Sequence, residues 1–328
     1  MKKIISIWLC ACIIIYIASP IGFAVQAEEQ FSIEDYTLSD ILEMSSDEQI
    51  EILRKYEEVY DPFGLNDALR ESDSESSSAQ PMWNSGNTLI GSHEWKTHEK
   101  ITIQALAELE TYLNKYEHGA ACLGEGQDLV TFVFDLAIAS ALPDRFLNGV
   151  VTDQMFAGHF YNPETGKNTL GQMSPTAKTN AISEWNAACS FLSNSYLLYG
   201  EKNKSGIEKL GCALHYIQDV CEPHHSSNIT VKLFNNSHGK FEEYAYNNFS
   251  AFADCSIQHT PAVMSAYSSM QIGDIVELAA LTSHQYIDMV DNVNNQSNWS
   301  YVADVCVDQA TSYTTIVLYK ILRVRGFI

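Results

Sequence analysis

Five side chains able to bind a metal ion, His215, Asp219, His225, His238 and Glu242, fall within 28 residues of this chain. They are grouped as H-x-x-x-D, a single His, and H-x-x-x-E. On an α-helix, residues four apart project from one face, so His215 with Asp219 and His238 with Glu242 each make a two-pronged claw that can close on one ion. Imidazole and carboxylate together suit zinc, which takes a near-tetrahedral shell of N and O donors. One buried histidine, taken alone, is more often a core residue bonded to a backbone carbonyl. The density of donors is what points to metal. Cys212 and Cys221 flank the first claw, but no C-x-x-C spacing is present, so thiolate ligation is the weaker reading.

The elements that must carry these donors read as helices. Ile101, Ala105, Leu109 and Leu113 mark one amphipathic helix that begins near His98, and Ala181, Trp185, Ala188, Leu192 and Tyr196 mark another. Cys212 to Asp219, Ile275 to Val293 and Val302 to Leu322 supply three more. Prolines 143, 163, 175, 223 and 261 fall between the periodic runs, where they can terminate helices. Alternating strand patterns are scarce. With 46 % hydrophobic residues, a real core is available, and the expected fold is all-α, a single multi-helix domain over residues 83–328.

The N-terminal part differs in kind. Lys2 and Lys3, the apolar stretch Ile4 to Ile17, and Val25 and Ala27 at small-residue cleavage positions read as a signal peptide over 1–27, hence a secreted protein. No later segment approaches 18 uninterrupted apolar residues, so no transmembrane anchor is expected. Residues 28–82 hold 16 acidic against 3 basic side chains and end in the Ser-rich run Glu71 to Gln80. That run reads as linker. The stretch before it, Ser39 to Tyr60, has Leu42, Ile50, Ile52 and Leu53 at roughly helical spacing. Together they read as an acidic pro-segment and linker. Six cysteines follow the leader (122, 189, 212, 221, 255 and 306), and their pairing is not fixed by the sequence.

Reading outward from the claws adds His98, Asp144 in the turn Leu142-Pro143-Asp144, His159 at the head of His159-Phe160-Tyr161-Asn162-Pro163, and Trp83 after the linker. With Leu214-His215-Tyr216-Ile217-Gln218-Asp219-Val220, Pro223-His224-His225, His238-Gly239-Lys240-Phe241-Glu242 and Phe156-Ala157-Gly158-His159-Phe160-Tyr161, this arrangement resembles the bacterial zinc-dependent phospholipase C family across essentially all of 83–328. The resemblance implies three Zn2+ ions. Asp144, His159, His215 and Asp219 would hold one, and His225, His238 and Glu242 a second. Trp83, through the free α-amino group and carbonyl of a mature N-terminus, would hold the third with His98 and Asp219, so that Asp219 bridges two ions. His224 has no counterpart in the family and reads as a solvent or outer residue, and His93, His118, His259 and His284 as ordinary histidines.

The chemistry so implied is hydrolysis of the glycerol–phosphate ester of a phospholipid at a membrane surface, giving diacylglycerol and a phosphorylated head group. Clustered zinc would activate the attacking water and neutralise phosphoryl oxygens, and Asp144 would accept the proton. Arg145 and Phe156 would face the head group. Arg145 stands where lecithin-cleaving relatives have an aromatic, and a guanidinium repels choline, whereas Phe156 keeps one aromatic wall. The toxin relatives carry a further C-terminal β-sandwich, and this chain ends at Ile328, so interfacial contact is expected from loops of the helical domain. A monomer is expected. The cleaved form would be the active one, because an amide nitrogen at Trp83 is a poor ligand. Rival readings are a single-strand-specific zinc nuclease of the same fold and a non-catalytic secreted zinc-binding protein. Residues 83–328 carry 25 acidic and 14 basic side chains and no basic stripe, which argues against nucleic acid.

Overall fold

The computed structural model describes residues 31–63, 97–117, 119–144, 156–193, 197–230, 236–252 and 259–328. The expected leader, the linker run, Trp83, His93, His118, Arg145 and Cys255 lie outside them. Twelve α-helices are described: α1 (Leu38–Glu43), α2 (Ser46–Tyr60), α3 (Thr97–Tyr116), α4 (Gln127–Ala141), α5 (Ala177–Phe191), α6 (Lys204–Asp219), α7 (Pro223–Ser226), α8 (Ser237–Asn247), α9 (Pro261–Ser268), α10 (Ile272–His284), α11 (Ile287–Val290) and α12 (Trp299–Arg325). Among the described residues there is no strand, and pairing is confined to one isolated bridge, Asn162 with Lys167. The all-α expectation holds.

Local chemistry sets the helix ends. Thr37, Ser45 and Thr176 open α1, α2 and α5 with reciprocal capping boxes, each hydroxyl accepting the N–H three residues on. Pro223 and Pro261 sit in the first turns of α7 and α9. There the absent N–H costs nothing, so these prolines start helices, where the sequence reading had them stop helices. The single run expected over Ile275 to Val293 is interrupted between His284 and Ile287.

At the centre lies α6. It packs most extensively on α5 and α4, while α3 and α12 pack against each other and both touch α6. The approach of α6 to α4 is close: a Cβ on Gly211 would lie 2.3 Å from the Cβ and 2.6 Å from the carbonyl carbon of Ala139. Phe132, Phe134, Phe160, Phe241 and Trp299 are among the large side chains wholly removed from water. Helix α12 buries a nearly unbroken stretch from Val302 to Leu322, save for Asp304 and Val305, so it is a core helix. No described helix is long and apolar enough to cross a membrane.

Helices α1 and α2 form within the acidic N-terminal stretch, whose spacing suggested one or two helices, and Ile33–Ile328 make one unit. Ile33, Ile41, Leu53 and Tyr56 are each 2 % exposed or less. The Tyr56 hydroxyl donates to Asp135 Oδ1 on α4 at 2.7 Å, and its ring meets Phe134 edge-on. A cavity of about 350 Å³ beside this contact is lined by Tyr60, Tyr199, Glu201 and Lys204 among others, and by none of the metal-donor residues.

Candidate metal centre

Helix α6 presents His215 and Asp219 one turn apart on the same buried face. The 3₁₀ turn Leu142–Asp144 at the end of α4 brings Asp144 alongside, and the turn after Phe156 brings His159. Four donor atoms converge. His159 Nδ1 lies 2.9 Å from Asp219 Oδ2, 2.9 Å from His215 Nε2 and 3.5 Å from Asp144 Oδ1. His215 Nε2 lies 3.4 Å from Asp144 Oδ1 and 3.2 Å from Asp219 Oδ2. Edges of that length match a tetrahedral shell with bonds of about 2.0–2.1 Å, whose corners are about 3.3 Å apart. The other oxygen of Asp219, Oδ1, lies 3.4 Å from His98 Nε2 and has no hydrogen bond. One carboxylate thus faces two donor sets. Asp219 is also the last residue of α6, where the helix dipole disfavours a negative charge unless a cation is near.

The histidines are oriented from behind, and the acceptors assign their tautomers. His215 Nδ1 donates to the Ser140 carbonyl at 2.8 Å, and His225 Nδ1 to the His159 carbonyl at 2.9 Å. His98 Nδ1 donates to Gln218 Oε1 at 2.7 Å, and the Gln218 amide is fixed by donating to Thr102 and Thr314 at 3.1 Å each. All three rings are left with Nε2 as a lone-pair donor turned toward the cluster. His159 differs, presenting Nδ1.

A second cluster forms where α7 and α8 meet. His238 Nε2 lies 3.0 Å and His225 Nε2 3.3 Å from Glu242 Oε1. Phe160 stacks on His225, with centroids 4.6 Å apart and planes at 12°, and meets His238 edge-on. The Tyr161 N–H donates to the His225 carbonyl and the Ala177 N–H to the Phe160 carbonyl, which pins this turn between α7 and α5.

Electrostatics in the two clusters pull one way. Burial by itself would raise the Asp144 carboxyl, yet His215, then His159 and His98, hold it down at about 2. Asp219, likewise opposed by burial, is held well below the carboxylate range by His215, His225 and His159. Burial would lower His225, but Asp219, Glu242 and Glu222 push it up to about 10. His215 is raised well above its ordinary value by Asp219 and Asp144 against the same burial cost. Buried carboxylates held ionised and imidazoles drawn toward positive charge are both satisfied by a divalent cation, which also fits the N and O donor set.

Eight of the nine donors expected from sequence, His98, Asp144, His159, His215, Asp219, His225, His238 and Glu242, are buried and brought together in these clusters. Phe156 stands at their edge, its ring 5.1 Å from that of Phe160. His284 bonds the Ser226 carbonyl and His259 faces Glu108, both apart from the clusters. The expectation for His224 is corrected in part: it is wholly buried, so it does not face solvent. Sequence reading also passed over Glu222 and Gln218. Glu222 lies within the dense segment and had the right residue type, whereas nothing local marks Gln218. The thiols of Cys212 and Cys221 are directed at the Ala139 and Ile217 carbonyls and join neither cluster, and all five described cysteines are free.

No family model matches the chain, and no curated protein matches it. Among solved structures it is similar to the alpha-toxin from Clostridium absonum (18 % identity, TM-score 0.55) and to the alpha-toxin of Clostridium perfringens from avian strain SWCP (20 % identity, TM-score 0.56). Each comparison covers 69 % of this chain and 63 % of the toxin chain. At that identity the likeness establishes a shared all-α fold.

Proposed function

We propose that this chain is the precursor of a secreted zinc-dependent phospholipase C. In this reading residues 1–27 are a signal peptide, 28–82 a pro-segment and linker, and 83–328 the catalytic domain. The observation that carries it is the division of Asp219, whose Oδ2 faces His159 and His215 while Oδ1 faces His98. A carboxylate so placed would serve two cations at once, and such a pair would stabilise charge on both the attacking and the leaving oxygen of a phosphodiester. Zinc, where bound, neutralises phosphoryl oxygens and lowers the pKa of water toward about 7.

The chain's own residues do the rest. Asp144, a buried carboxylate 3.4 Å from His215 Nε2 and 3.5 Å from His159 Nδ1, takes the proton from the attacking water. His98, His215 and His225 keep their Nε2 atoms aimed by donating Nδ1–H to fixed acceptors. By the family resemblance, Phe156 and Arg145 would face the head group, with choline disfavoured by the guanidinium, and Trp83 would join His98 and Asp219 once its α-amino group is free.

Elemental analysis of the processed protein, with parallel assays on phosphatidylcholine, phosphatidylinositol, sphingomyelin and single-stranded DNA, tests the proposal. Bound zinc with release of diacylglycerol is the expected result. Zinc with cleavage of DNA alone establishes the nuclease reading. Zinc with no hydrolysis of any substrate establishes a storage or structural role, and absence of zinc removes the hydrolase reading altogether.

A further inference from the structure

Glu222 follows Asp219 by three residues and caps α7. Its Oε2 accepts the His225 backbone N–H at 2.9 Å, and its Oε1 accepts from His224 Nδ1 at 2.5 Å. A cap requires neither charge nor burial, and serine or asparagine serves as well. Glu222 is nevertheless 0 % exposed, as are His225, His238 and Glu242. Its Oε2 also lies 3.9 Å from His238 Nε2, and Glu222, His225 and His238 each offer a ligand atom within 4.8 Å of the others. No hydrogen bond meets either ring nitrogen of His238 or Oε2 of Glu242. Two buried carboxylates beside two imidazoles are costly to hold together without a cation, and a dication cancels their charge. Corner-to-corner spacing in a tetrahedral zinc shell is about 3.3 Å, so a small rotation of the Glu222 side chain brings Oε2 into place.

We infer that Glu222 is a fourth protein donor to the ion site of His225, His238 and Glu242, and that this site is closed. Two imidazoles and two carboxylates leave no corner for water or substrate, the arrangement of a structural zinc. The inference rests on the zinc reading above and sharpens it, because reaction must then take place at the His98, Asp144, His159, His215 and Asp219 side of the centre. His224 is a positioning residue. Its Nδ1 holds Glu222, its Nε2 faces Ser237 Oγ at 3.2 Å, and Ser237 donates to Asp291 at 2.7 Å. Its ring stacks on His238, with centroids 5.0 Å apart and planes at 7°.

The experiment compares wild type, Glu222→Gln and Glu242→Gln, each loaded with zinc and titrated with a chelator. Glutamine keeps a carbonyl to accept the His225 N–H, so a purely capping Glu222 leaves zinc retention at wild-type level. As a ligand, its replacement lowers the affinity of one zinc per chain as far as Glu242→Gln does, beyond the about 10- to 100-fold that losing an outer partner costs, and a loss short of that overturns the inference. Retention in Glu222→Gln equal to wild type overturns the inference while the zinc reading stands. A wild type that binds no zinc overturns both. Should Glu222→Gln fail to fold, wild type loaded with cobalt decides the matter. A closed site leaves part of the visible d–d spectrum unchanged as inorganic phosphate is added, and a spectrum that responds in full overturns the inference.

Discussion

Asp144 and Asp219 stand side by side, both buried and both in contact with His159 and His215, yet they are not equivalent. Asp219 sits on the helix and divides its oxygens between donor sets, whereas Asp144 sits on a turn at the end of α4 and is free of a bridging role in the proposed scheme. Replacing Asp144 with Asn keeps the shape and a coordinating oxygen while removing the proton acceptor. Hydrolysis should fall by about 10²- to 10⁴-fold with most zinc retained, a combination read from kcat and metal content on the same preparation. Loss of zinc in step with activity would make Asp144 a ligand and nothing more. His215 with Asp219 and His238 with Glu242 were legible from their i, i+4 spacing, whereas His98, Asp144 and His159 became ligands only through the family resemblance. The donors' supports were not legible. Gln218 acts through Thr102 and Thr314, 116 and 96 residues away, and no local pattern encodes such a triangle. His224 was legible as a histidine, but its burial depends on ring contacts with His238 and Phe241 on α8.

Helix α6 must approach α4 closely for His215 Nδ1 to reach the Ser140 carbonyl, and Gly211, one turn earlier on the same face, permits it. A methyl there would meet the Ala139 carbonyl carbon at 2.6 Å and the Ser140 nitrogen at 2.8 Å, backbone atoms that move only with the helix. Gly211→Ala gains about 1 kcal/mol of helix propensity but carries an overpacking cost of about 1–3 kcal/mol. The expected outcome is a lower thermal midpoint together with weaker zinc retention, since separating α4 from α6 also moves His215 from Ser140 and Asp144 from Asp219. An unchanged melting curve would mean that the two helices yield without strain. Elements whose apolar residues recur on one stripe, such as α3 and α5, could be read from sequence. Helix α4 could not, because Val130, Phe132, Val133, Phe134 and Leu136 to Ala139 are buried on all sides and leave no periodic signal.

The acidic N-terminal helices join the rest of the described fold through the Tyr56 and Asp135 contact, and two consequences follow for the whole molecule. Burial pushes the Asp135 carboxyl up to about 6, against the lowering effect of the Tyr56 hydroxyl. A carboxyl raised on folding favours the folded state below its ordinary value near 3.8 and loses that contribution as pH rises through 6. The change is about 3 kcal/mol at most. Asp135→Asn, which still accepts from Tyr56, should therefore flatten the pH dependence of the urea midpoint between 4 and 6 and raise stability at pH 7. An identical slope in both proteins would place that titration elsewhere. The second consequence concerns the cleavage proposed after Met82. Severing the chain there frees the Trp83 amine and should raise activity well above that of the intact precursor, but it does not undo the packing of Ile33, Ile41, Leu53 and Tyr56. The 28–82 fragment should consequently co-elute with 83–328 in gel filtration after cleavage, and part from it only in denaturant. Intact-mass measurement across the elution peak checks this directly: fragment and domain in one peak identify a two-chain product. A fragment that leaves at once would instead mean that the covalent tether, rather than the buried contacts, holds these helices in place.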